Sequence, residues 1–164
     1  MTDHDASPSM PPISGVSEVV LSVADLPKMR AFYMRTLGFR LHSESSMESE
    51  TADEKGEPTI TFLEICGTDT PLGRNGHPQL LVLIDYRRHV YARERFTGHD
   101  AKTSTLNHLA FEIPPESFDQ HLGRLRELGL TPHLAEFPAM QARAMFFGDP
   151  EGNRLELIAH HPTD

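Results

Sequence analysis

The chain has 164 residues, of which 38% are hydrophobic and 24% charged. That is enough apolar material for one packed domain and argues against wholesale disorder. Its 15 Lys and Arg stand against 24 Asp and Glu, a net charge of −9. An acidic chain is repelled by phosphate backbones and anionic lipid, so nucleic acid and membrane surfaces are poor partners. No apolar run approaches the ~20 residues needed to cross a bilayer, and the N-terminal stretch has neither a basic patch nor an apolar segment of secretory type. One cysteine, Cys66, cannot form an internal disulfide, which suits a reducing cytoplasm.

Residues 1–12 are polar and proline-rich and read as a loose, disordered tail. Residues 16–23 are β-branched and predict a strand. Asp25 then offers a helix cap and Pro27 fits a first helical turn, while Met29, Phe32, Tyr33 and Leu37 form one apolar stripe. Gly38 fits a left-handed stop. A second strand opens at Phe39, and the acidic stretch 43–58 reads as an exposed loop. Residues 59–66 and 79–86 predict two more strands, the latter apolar on both faces and therefore central. The charged segment 87–104 joins the halves.

The order then repeats. Residues 106–113 predict a strand and 115–128 a helix, with Phe118, Leu122, Leu125 and Leu128 on one face and Gly129 as its stop. Strands follow from Leu130, over 142–147 and over 155–159. The turn from Asp149 to Asn153 reads as a tight hairpin without chemistry. The strand 16–23, laid over 106–113, matches apolar to apolar and polar to polar, with Glu18 over His108. Leu37-Gly38-Phe39 falls on Leu128-Gly129-Leu130, and 81–84 on 155–158. Each half is a βαβββ module: residues 13–86 and 105–164, with 87–104 as linker. The expected fold is α+β, one domain in which two tandem modules form a curved mixed sheet with a central cleft and helices outside.

The paired modules resemble the vicinal oxygen chelate superfamily, which includes glyoxalase I, extradiol dioxygenases, fosfomycin-resistance and bleomycin-binding proteins. The resemblance is carried by VSEVVLSVADLPKMRAFYMRTLGF, LNHLAFEI and MFFGDPEGNRLELI, and spans most of residues 13–161. Strand alternation turns Glu18, His108 and Glu156 toward the cleft. The resemblance places metal ligands at these three positions and so implies one divalent ion, with Mn, Fe, Zn, Ni and Mg all open. Many relatives carry His or Gln where Glu18 stands. One imidazole with two carboxylates is not the facial iron triad of two His and one carboxylate. Glyoxalase I and its epimerase relatives take a fourth ligand near Val82, where this chain offers only Leu80, Val82 and Ile84; Glu64 is the nearest substitute.

The resemblance therefore implies a metal-dependent enzyme of isomerase, lyase or ring-cleaving type on a small vicinal-oxygen substrate. Glu18 is the expected general base, with Tyr86, Arg154 and Phe146 as expected substrate contacts. The alternative it leaves open is a non-catalytic small-molecule-binding protein of the bleomycin-resistance kind, with an apolar cleft. Exposed sheet edges make a homodimer the expected assembly. The loops 43–58, 67–78 and 135–142 are the expected seat of specificity.

Overall fold

The computed structural model describes residues 16–49, 56–65, 78–100 and 102–161. The tail 1–12, Cys66, the loop 66–77 and the acidic stretch 50–55 lie outside them. In chain order the regular elements are β1 (Glu18–Val23), α1 (Leu26–Thr36), β2 (Arg40–Ser45), β3 (Ile60–Glu64), β4 (Leu80–Asp85), β5 (Leu109–Glu112), α2 (Phe118–Glu127), β6 (His133–Phe137), β7 (Ala142–Gly148) and β8 (Arg154–His160). Asp25 caps α1, accepting from the Lys28 N–H at 3.1 Å, and Gly38 and Gly129 follow the two helices with φ of 74° and 79°. Positive φ there is what lets each chain turn straight back toward its sheet.

The two modules are repeats in space as well as in sequence. The sheets run β1-β4-β3-β2 and β5-β8-β7-β6. In each, the first strand pairs in parallel with the last, and the two other pairings are antiparallel. The registers coincide: Val19 opposes Leu81 and Leu109 opposes Leu155, the pairs that the sequence repeat superimposes. The sheet is thus built as two four-stranded halves. Their free edges, β1 and β5, flank a groove of about 600 Å³ lined by residues such as Glu18, Val19, Leu80, Leu109, Phe111 and Glu112.

The helix-side faces of both halves share one core. Leu21, Val23, Met29, Tyr33 and Leu83 of the first module belong to the same cluster as Phe118, Leu125, Met145, Leu155 and Leu157 of the second. Phe39 and Phe111 meet edge to face across the boundary, centroids 5.2 Å apart. Because both helix-side faces turn to this core, the two faces carrying Glu18 and Glu156 turn away from it. Val20, beside Glu18, is 47% exposed.

Some details differ from expectation. β5 begins at Leu109, so His108 stands just before the strand. The second helix is preceded by a 3-10 turn at Pro115–Ser117. Of the supposed loop 135–142, residues 135–137 belong to β6 and Pro138–Met140 form a 3-10 turn. The turn from Asp149 to Asn153 does more than reverse the chain. The Glu151 carboxylate accepts from the backbone N–H groups of Ala24 (2.8 Å) and Asp25 (2.7 Å) at the start of α1. Asp149 accepts from the buried Tyr33 hydroxyl at 2.9 Å. A pentapeptide of module two therefore holds the helix of module one.

Candidate metal centre

His108 and Glu156 come together by strand register. Ala110 opposes Glu156 in the β5–β8 ladder, and Phe146 opposes it in the β7–β8 ladder. His108 lies two residues before Ala110, on the same face and diagonal to Glu156, a separation long side chains can span. Ala110 has no bulk to intervene. The result is His108 Nε2 at 2.9 Å from Glu156 Oε2. The edge of Phe146 rests on the imidazole, with centroids 5.6 Å apart, and the Arg154 guanidinium lies 4.3 Å above the Phe146 ring. Two expected metal ligands, His108 and Glu156, and one expected substrate contact, Arg154, therefore gather around Phe146.

The polar geometry has a further member that sequence reading missed. His108 Nδ1 and Asn107 Oδ1 are 2.7 Å apart. An amide oxygen only accepts, so in this contact Nδ1 carries a proton, and Nε2 is the ring atom that faces the Glu156 carboxylate. The Glu156 side chain is 6% exposed. Two electron-rich atoms this close, one of them on a buried carboxylate, require a shared cation, either a proton or a metal ion. The donor pair fits a divalent metal, and an outer hydrogen bond that fixes the imidazole tautomer is the usual support for a metal-binding histidine.

Glu18 is not in this neighbourhood. It sits exposed on the edge strand β1, on the rim of the groove between β1 and β5. Among the described residues of one chain, no group of three His, Cys, Asp or Glu side chains gathers to hold a metal. Glu64, the substitute for a fourth ligand, is held by Arg40 at 2.7 Å. Tyr86 packs edge to face on Phe96 of the linker, centroids 5.0 Å apart, with its hydroxyl near Gly98.

The sequence model described as the Glyoxalase/Bleomycin resistance protein/Dioxygenase superfamily matches residues 15–157. The chain belongs to this superfamily. Solved superfamily structures share its fold. The genomically encoded fosfomycin resistance protein FosX from Listeria monocytogenes, in its monoclinic form at pH 6.5, aligns with a TM-score of 0.63 at 22% identity, covering 92% of this chain and 96% of that one. A mutant of the same protein, complexed with Mn(II) and 1S,2S-dihydroxypropylphosphonic acid, aligns at 0.61 and 22%, covering 92% and 93%. Lactoylglutathione lyase from Agrobacterium tumefaciens aligns at 0.59 and 20%, covering 90% and 95%. No curated protein sequence matches. At these identities the likeness to the solved structures concerns the fold, while the family match identifies the superfamily. The helices of the described residues include none long and apolar enough to cross a membrane.

Proposed function

We propose that this superfamily member is a divalent-metal-dependent enzyme acting on a small molecule with vicinal oxygens, by isomerase, lyase or ring-cleaving chemistry. The observation that carries the reading is the 2.9 Å approach of His108 Nε2 to the buried Glu156 carboxylate, with the other ring nitrogen tied to Asn107. His108 and Glu156 would be two ligands, and Glu18 of a second copy of the chain the third. Supporting this, Glu18 is exposed and has no ion-pair partner among the described residues, and Val16 and Val20 beside it are 63% and 47% exposed. A two-fold homodimer that covered this apolar strand would build two equivalent sites.

When bound, a divalent ion supplies Lewis-acid stabilisation of negative charge developing on a substrate oxygen, an effect worth several kcal/mol. The side chains divide the remaining work. Asn107 holds the His108 ring in one tautomer and one orientation. Phe146 walls the site and keeps water from the Glu156 carboxylate. Arg154, set over Phe146, contacts the substrate. Tyr86 closes the cleft from the linker side. Glu18 takes the proton from an acidic substrate C–H as general base. A donor set rich in carboxylate suits the harder ions, and the manganese complex of FosX makes Mn²⁺ the first to test ahead of Fe²⁺, Zn²⁺, Ni²⁺ and Mg²⁺. A single cysteine suits the reducing cytoplasm as its compartment.

A second reading, non-catalytic binding of an apolar small molecule, is favoured by one observation: the groove of about 600 Å³ between β1 and β5, walled by Val16, Val19, Leu109, Phe111 and Ile113. Metal analysis of the untagged protein separates the two. One divalent ion per chain, lost in His108→Ala and Glu156→Gln, supports the enzyme. No uptake of any of the five ions supports the binding protein.

A further inference from the structure

A second, smaller cavity, about 290 Å³, adjoins His108. His99 and Ser104 of the linker build one wall together with Asn107 just before β5, and the turn into β8 builds the other with Gly152 and Arg154. No Asp or Glu is among the residues that line it. In a chain with 24 acidic side chains and a net charge of −9, the single formal charge among the residues lining this cavity is positive, on Arg154. Arg154 has no carboxylate partner among the described residues. The Phe146 ring beneath it positions the guanidinium plane by a cation–π contact, and that leaves the N–H edge free. His99 Nε2 is buried without a hydrogen-bond partner, beside Gly152. A buried imidazole nitrogen is seldom left in that state, and a small rotation of the ring into the cavity would give it an acceptor.

Resting on the metal-centre reading above, we infer that this cavity is an oxyanion subsite, and that the substrate carries a carboxylate or a tetrahedral phospho group beside its vicinal oxygens. Arg154 presents parallel N–H donors to two oxygens of that group, and His99 donates to a third acceptor position from the linker side. The anion seated there leaves the neighbouring substrate oxygens facing His108 and Glu156. The volume lies at the small end for ligand sites and admits a head group, not a bulky acid. His99 and Arg154 thus become the residues that select for charge, while the metal ligands select for adjacent oxygens.

The test uses the full-length protein, both metal-stripped and manganese-loaded, titrated with inorganic phosphate and separately with acetate. Calorimetry reads affinity, and the ring protons of His99 and His108 are followed by NMR. The expected result is saturable binding of one anion per chain in the stripped protein, with movement of the His99 signals. Binding should weaken at least about tenfold in Arg154→Gln, as loss of a charge-assisted contact does. His99→Gln, a milder change, should weaken it too, and serves if Arg154→Gln does not fold. The preferred anion identifies the group. Absence of saturable binding, or affinity unchanged in both variants, overturns the subsite. Anion binding without uptake of any metal would keep the subsite and remove the metal reading; metal uptake without anion binding would do the reverse.

Discussion

At the scale of single residues, the pairing of His108 with Glu156 follows from alternation along two strands that the repeat identifies as equivalents of β1 and β4 in the first module. Alternation tells which face a side chain takes, and register then decides which side chains meet. His108 stands one residue before β5 and still keeps the alternation of Ala110, whereas Asn107 joins the site through its neighbour's ring and not through strand facing, so alternation did not point to it. Its bond to His108 leads to a specific expectation. Asn107→Ala removes the acceptor that fixes the ring, and should weaken metal binding by about 10–100-fold while leaving the fold intact. Competition against a fluorescent chelator measures it, and an unchanged affinity would mean that the Asn107 contact does not support a ligand.

At the scale of elements, the pentapeptide from Asp149 to Asn153 carries the main lesson. Read along the chain, its Pro and Gly describe a hairpin, and Gly152 indeed has φ of 90°. What the sequence does not show is that its two carboxylates serve the other module. Asp149 takes the Tyr33 hydroxyl together with N–H groups of Asn153 and of its own turn. Burial first, and then the charge of Asp149, push the Tyr33 hydroxyl far above the usual phenol range, so it remains a donor at every working pH. Glu151 places a negative charge on the free N–H groups at the positive end of α1. Glu151→Ala should therefore destabilise the protein by about 1–2 kcal/mol, and Tyr33→Phe, which leaves Asp149 one donor short, by about 1–3 kcal/mol. Both are read from urea unfolding midpoints at unchanged slope. The double variant should lose less than the sum if the two contacts act as one clamp.

At the scale of the whole molecule, the proposed third ligand makes a prediction about assembly. If Glu18 serves the neighbouring copy, Glu18→Ala and His108→Ala chains should each bind no metal alone. Mixed and re-equilibrated, they form heterodimers in which one site is intact, so occupancy should return to about a quarter of wild type. No recovery on mixing would refute the shared site. Stability against pH is a second global property. His89, in the linker, is buried; its Nδ1 accepts from the Tyr91 N–H at 3.2 Å and its Nε2 has no partner. Burial lowers its pKa from 6.5, with Asp85 opposing in part. The folded state thus prefers the neutral ring. The stability this represents is fully present above pH 6.5 and is lost as the pH falls below that value, where the unfolded chain takes up the proton first. The melting temperature should fall between pH 7 and pH 5.5, and less steeply in His89→Gln.

The sequence by itself determined the α+β modules, their duplication, the cap of α1 and the glycine that stops each helix. These are local facts, set by periodicity, capping and glycine, and repetition doubled each signal. Tertiary structure alone decided that the modules share one core through their helix-side faces, that a turn of one clamps the helix of the other, and that Glu18 stands apart from the His108–Glu156 pair. Facing is a property of a strand, but convergence depends on how two sheets are set against each other. Side chains far apart in the chain fix that arrangement by packing, and no local pattern records it.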